Sequence, residues 1–170
     1  MAHSFPTRRS SDLATKAAYS APTEGRPLYA ALRTLPAPTE PVARLWHAAT
    51  LLREHRGDGH IAALVTEGIG GTEAHVLHAL SEGTPAEKFG RVQHLPAAQL
   101  TAVIDGMRAR GLIDPSGGLT DTGHQTKARI ESLTDTLADP AYDTLTAAEQ
   151  DQLLTDLTPI GKAAQAANPW

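Results

Sequence analysis

LTAVIDGMRARGLIDPSGGLTDTGHQTKARI, residues 100–130, is the stretch whose reading decides the fold. Leu100, Val103, Ile104 and Met107 recur at i, i+3, i+4 and i+7, the apolar stripe of a helix that Pro96 opens and Gly111 closes. Leu112-Ile113 and Leu119-Thr120 flank Asp-Pro-Ser-Gly-Gly, which predicts a tight turn between two short paired strands, a minimal β-hairpin. The helical period then resumes at Thr126, Ile130, Leu133 and Leu137.

Working outward, Thr84-Pro85-Ala86-Glu87 has the composition of a capping box with proline at the first helical position, so a short helix to about Val92 is expected. Before it, TEAHVLHALSE at 72–82 reads as a helix through Val76, Leu77 and Leu80. PVARLWHAATLLREHR at 41–56 places Val42, Leu45, Trp46, Ala49 and Leu52 on one face, with Gly57 as its stop. Asp58 is then suited to cap a further short helix over Gly59 to Glu67, broken by Gly68, Gly70 and Gly71. Downstream, Thr146-Ala147-Ala148-Glu149 caps a last helix through Leu153, Leu157, Ile160 and Ala164. Residues 14–40 carry Pro22, Pro27, Pro36 and Pro38 and read as a linker with at most a short helix near Leu28 to Leu35.

Two helices joined by a short connection with a hairpin behind the second describe a winged helix-turn-helix, here about 84–111 with a wing at about 112–120 and helices from 122 to 167. TAVIDGMRARGLID followed by GLTDTGHQTKARI resembles the recognition helix, wing and next helix of MarR-like transcription regulators, and LTAAEQDQLLTDL resembles their C-terminal helix. LWHAATLLREHRGDGHIAALVTEG with EAHVLHAL resembles an actinobacterial helix-turn-helix family related to MarR. The resemblance implies a mostly α MarR-like winged-helix domain over 41–168 with additional N-terminal helices. It also implies double-stranded DNA as partner, a homodimer, and a further N-terminal domain of which residues 14–40 are the remnant.

HSFPTRRSSDL, residues 3–13, has neither the amphipathic pattern of an import leader nor the apolar core of a secretory signal. Its codons can be written as a widely used sequencing adapter, so residues 1–13 are expected to be a translated artefact joined to a C-terminal fragment. The chain holds 170 residues with 41% hydrophobic content, enough for a buried core. No apolar run reaches the roughly 18 residues of a membrane span, and the absence of cysteine excludes disulfides and thiolate metal sites and suits the cytoplasm. Neither a nucleophile elbow nor a phosphate loop is present, so no enzymatic activity and no cofactor are expected.

The net charge is −4, and between Thr84 and Asp139 six cations face seven anions, which confines any DNA footprint to a local face. The candidates for it are Lys88, Arg91, Gln99, Thr101, Arg108 and Arg110; on the second helix Gln99, Thr101 and Arg108 face outward to read base edges, or simply solvate a surface helix. The turn Asp114 to Gly118 carries an acid and no arginine, unlike the basic wing that the family resemblance implies.

Five of the eight histidines fall between 47 and 78. His75 and His78 share a helix face opposite Val76, Leu77 and Leu80. A rival reading gathers His47, Arg53, Glu54, His55, Asp58, His60, His75 and His78 into a small-ligand or protein-interaction site. The spacing matches no metal-ligand motif, which favours reading these side chains as capping, stacking and hydrogen-bonding groups among helices.

Overall fold

The computed structural model describes residues 8–167, apart from the side chain of Arg91. Residues 1–7 of the adapter-like stretch lie outside the described residues, and residues 8–13 open the first helix. The elements are α1 (Arg8–Ser20), α2 (Pro27–Leu32), α3 (Pro41–Thr66), α4 (Gly71–Ser81), α5 (Ala97–Ala109), α6 (Asp121–Ala138) and α7 (Ala147–Ala167), with short 3₁₀ turns at Ala86–Lys88, Gly90–His94 and Asp139–Ala141. The chain divides into a first unit of residues 1–59 and 136–170 and a second of residues 60–135.

The first unit is built on small residues. Ala14, Ala17 and Ala18 on one side of α1, and Ala21 just after it, are 0–2% exposed, packed with Leu45, Ala48 and Leu51 of α3, Tyr29, Leu145 and Leu153. Residues 14–40, expected as a linker, thus contribute the end of α1 and all of α2. Tyr29 anchors α2: it is fully buried, and its hydroxyl donates to the carbonyls of Ala18 (2.6 Å) and Ala21 (3.0 Å). α7 begins with the expected capping box, in which the Thr146 amide donates to Glu149 Oε2 at 2.8 Å and the Glu149 amide to Thr146 Oγ1 at 3.3 Å.

The two helices expected at 41–56 and 59–67 are one. Gly57 and Gly59 keep negative φ, so neither ends α3; the stop is Gly68 at φ 66°, where the Ile69 amide reaches back to the Leu64 carbonyl at 2.9 Å. Gly59 is there for close approach. A Cβ on it would lie 3.2 Å from Arg26 Nη2 and 3.3 Å from the Leu137 Cβ. Asp58, free of the capping duty expected of it in α3, accepts the Tyr29 amide at 2.9 Å and caps α2 instead.

In the second unit Ala63 and Leu64 of α3, Val76 and Leu77 of α4, Leu100 and Met107 of α5, Leu112, Ile113 and Ile130 enclose a single apolar core. The short helix expected over 84–92 is replaced by two 3₁₀ turns. Gly83 at φ 68° lets the Thr84 amide bond to the Ala79 carbonyl, so Thr84 finishes α4 and its amide is no longer free for the Glu87 side of a capping box. Gly90 at φ 49° then interrupts any helical continuation.

The expected β-hairpin wing is also absent. Among the described residues there is no strand, only an isolated antiparallel bridge between Ile113 and Leu119, and the fold is all-α. The reason is a shortage of backbone between two helix caps. Gly111 (φ 71°) ends α5 as the Leu112 amide bonds to the Met107 carbonyl, and Thr120 already caps α6 by accepting the Gly123 amide at 3.0 Å. The turn between them is held by Asp114, whose amide donates to the Gly118 carbonyl at 2.8 Å and whose carboxylate accepts the Ser116 hydroxyl and the Gly118 amide.

Gly123 locks this junction, because a Cβ there would overlap the carbonyl oxygen of Leu112. Gly123→Ala is expected to lower stability by about 2 kcal/mol or more in urea unfolding, since backbone must move to relieve the overlap. Gly161→Ala, in α7 with nothing within 4 Å of the added methyl, should instead leave stability unchanged or raise it by about 0.5–1 kcal/mol.

Candidate nucleic-acid interface and histidine cavity

The inner stripe of α5 follows from its sequence: Leu100 and Met107 are buried, and Val103 and Ile104 are half-buried. Its outer face is Ala98, Thr101, Ala102, Asp105 and Ala109, flanked by Gln99 and Arg108, all exposed. The helix follows the connection Glu82 to Pro96 behind α4, and its first turn hangs on the Pro96 carbonyl, which accepts the amides of Gln99 (2.9 Å) and Leu100 (3.2 Å). Gln99 and Thr101 therefore stand exposed at the N-terminal end, where a helix entering a groove meets base edges.

The cations proposed for phosphate contact divide by partner. Arg110 Nη1 donates to the Gly68 carbonyl at 2.8 Å and its Nη2 pairs with Glu73 Oε1 at 2.6 Å, which ties the end of α5 to the α3–α4 junction. Arg108 Nη1 pairs with Asp105 at 2.6 Å, one turn back on its own helix. Lys88 is exposed and carries no ion pair among the described residues. The side chain of Arg91 lies outside the described residues. Lys127 and Arg129 are paired with Glu131 (2.6 Å) and Glu67 (2.9 Å). Across residues 60–135 six Lys and Arg face nine Asp and Glu, so the unit holding α5 is acidic overall.

Of the histidine-centred candidates, His47, Arg53, Glu54, His55 and Asp58 fall in the first unit and His60, His75 and His78 in the second. In the first, the His47 Nε2 meets the Tyr19 hydroxyl at 3.1 Å, and Arg53 pairs with Glu54. His55 is 1% exposed and packs edge-on against Tyr29, ring centroids 5.0 Å apart. Asp58 is the α2 cap already described. Within this string His55 and Asp58 are engaged with α2, while Arg53 is exposed.

In the second unit His60, His75 and His78 do come together. They line a cavity of about 360 Å³ with Phe89, Lys127 and Glu131, over Leu64, Leu77 and Ile130. The Thr134 hydroxyl has one proton and gives it to the Ile130 carbonyl (2.7 Å), so it accepts from His60 Nδ1 at 3.0 Å and fixes that imidazole as the Nδ1–H tautomer. His78 sits edge-on to Phe89 at 4.9 Å and His75 tilted at 6.3 Å. Phe89 was not singled out by sequence reading, although it is one of only two phenylalanines in the chain. Among the described residues no group of three or more His, Cys, Asp or Glu could hold a metal ion.

Burial shifts His55 as well. Loss of solvation pushes its pKa below the usual imidazole value, the Arg26 charge pushes it the same way, and Asp58 partly opposes them. The unfolded chain therefore binds the proton more tightly, and folding stability is complete above about pH 6.5 and falls as pH drops from there toward the lower folded-state pKa. Urea midpoints between pH 7.5 and 5 should show this loss in the wild type and a flatter profile in His55→Phe; equal slopes in both would mean that His55 is not the group responsible. Asp114 and Glu149, held below ordinary carboxylate values by hydrogen bonds from Ser116 and from the Thr146 amide, act only at lower pH.

A family model described as a helix-turn-helix family matches residues 2–169. The chain belongs to that family. No curated protein and no solved structure matches it. Among the described residues no helix is long and apolar enough to cross a membrane.

Proposed function

We propose that this member of the helix-turn-helix family is a cytoplasmic transcription regulator that binds double-stranded DNA through α5. The observation that carries the reading is the outer face of α5: small, exposed and unobstructed, with Gln99 and Thr101 at the end that enters a major groove. Lys88, ahead of that helix, supplies a phosphate contact, and Arg91 joins it from the sequence. Arg108 takes a phosphate only by releasing Asp105, whereas Arg110 is reassigned to holding α5 in place. A second copy of the chain, offering its own α5 to the other half of a two-fold operator, completes the proposal. On α7, Leu154 (67% exposed) and Ile160 (36%) are apolar positions available to such a copy, while Leu153 is buried and Leu157 half-buried in the first unit.

A second function is compatible with the first. The shared cavity of His60, His75 and His78 favours a small-ligand-responsive protein.

Fluorescence anisotropy on mixed genomic fragments across a salt series tests DNA binding. Lys88→Ala should reduce the slope of log K against log salt by about 1 and weaken all fragments alike. Gln99→Ala should leave the slope unchanged and erase preference among fragments by about 1–3 kcal/mol. Arg110→Ala should act on the melting curve instead, costing about 0.5–1 kcal/mol for its partly solvated bonds. Absence of binding at low salt would remove the regulator reading.

A further inference from the structure

We propose that the cavity of the second unit is a binding site for a free aromatic α-amino acid. The proposal rests on the small-ligand reading of the chain and is independent of DNA binding.

Size, wall chemistry and charge each narrow the ligand. About 360 Å³ accommodates roughly a dozen heavy atoms at about 30 Å³ for each water-sized atom, the size of phenylalanine. The floor is apolar, with Leu64 5%, Leu77 1% and Ile130 1% exposed, so the buried end of the ligand is hydrophobic. Phe89 and the two imidazoles on α4 present ring edges and faces to it, at mutual angles of 67° and 45°, the geometry into which another flat ring packs.

Charge then selects the head group. Lys127 Nζ and Glu131 Oε1 lie 2.6 Å apart on successive turns of α6, with side chains 21% and 40% exposed, and both line the cavity. Their charges cancel. A ligand carrying only a carboxylate gains Lys127 and meets Glu131 as a like charge, and a simple amine has the opposite problem. A zwitterionic head presents an anion and a cation on one carbon and can replace the Lys127–Glu131 pair by two intermolecular ones. His60, oriented by Thr134, adds a fixed polar wall.

Calorimetric titration of the full chain with L-phenylalanine, 3-phenylpropanoate and phenethylamine tests the proposal. The wild type should bind L-phenylalanine at least tenfold more tightly than either singly charged analogue. Glu131→Gln should turn the preference toward 3-phenylpropanoate, and Lys127→Met toward phenethylamine, an inversion that a merely structural ion pair would not produce. Should either variant fail to fold, Ala74→Leu, which fills the cavity from α4, should abolish L-phenylalanine binding with the melting temperature kept. No binding of L-phenylalanine, equal binding of all three compounds, or binding untouched by Ala74→Leu would overturn the proposal. DNA binding measured on the same sample separates the two readings: a chain that takes L-phenylalanine and no DNA supports the site and defeats only the regulator, and the reverse result defeats only the site.

Discussion

The close approach at Gly59 is the constraint on which the first unit depends. Without a Cβ there, Arg26 lies over α3 and donates from Nη2 to the Leu137 carbonyl at 2.9 Å, in the last turn of α6. One residue earlier on α3, Asp58 accepts from the amide of Tyr29 near the start of α2. A buried cation thus meets a helix C-terminus and an anion meets a helix N-terminus, each the sign that the helix dipole favours. The arrangement carries a cost, since Arg26 Nε and His55 Nε2 are buried without hydrogen-bond partners among the described residues. It is offset by the fully buried Tyr29, which these contacts place between α1 and α3.

The second unit solves a different problem, that of turning α5 back into α6 with almost no chain. Gly111 and Thr120 terminate and begin helices only nine residues apart, and Gly123 lets the start of α6 press on the Leu112 backbone. A regular hairpin needs several ladder positions on both arms, and between these caps there is room only for the Thr120 amide to Leu112 carbonyl bond, the Ile113–Leu119 bridge and the Asp114 amide to Gly118 carbonyl bond. The outcome is a rigid staple behind α5, made of one bridge and an Asp114-centred turn.

How far the sequence was legible follows from where the deciding partner lies. Apolar periodicity found α4, α5, α6 and α7, and the Thr146–Glu149 capping box, because each is settled within a few residues. The same local reading made Gly57 the stop of one helix and Asp58 the cap of the next, whereas the Asp58 carboxylate is taken by the Tyr29 amide and Gly59 is packed against Arg26 and Leu137, all of them far along the chain. Thr84 failed similarly: the capping-box pattern was intact, but Gly83 had already committed its amide to α4. At the candidate interface, exposure of Gln99, Thr101 and Arg108 followed from helix phase, whereas the capture of Arg110 by Glu73 and Gly68 required the tertiary fold. His75 and His78 were rightly placed on one face; their company, Phe89 and His60, was beyond local reach.

The pairing of Arg108, Arg110, Lys127 and Arg129 with acids of their own unit bears on kinetics as well as geometry. These pairs cancel four of the six cations, and the acids left over keep the unit negative, with a field that reaches only about the Debye length of about 8 Å at physiological salt. A polyanion approaching the second unit is therefore not drawn in from a distance and finds the face of α5 by unguided collision. Association with a polyanion would then fall at or below the unsteered regime of about 10⁵–10⁶ M⁻¹s⁻¹ and not in the steered one of about 10⁸–10⁹ M⁻¹s⁻¹. Residence time, set by the fit of a nearly uncharged helix face, is left to decide which partners are kept.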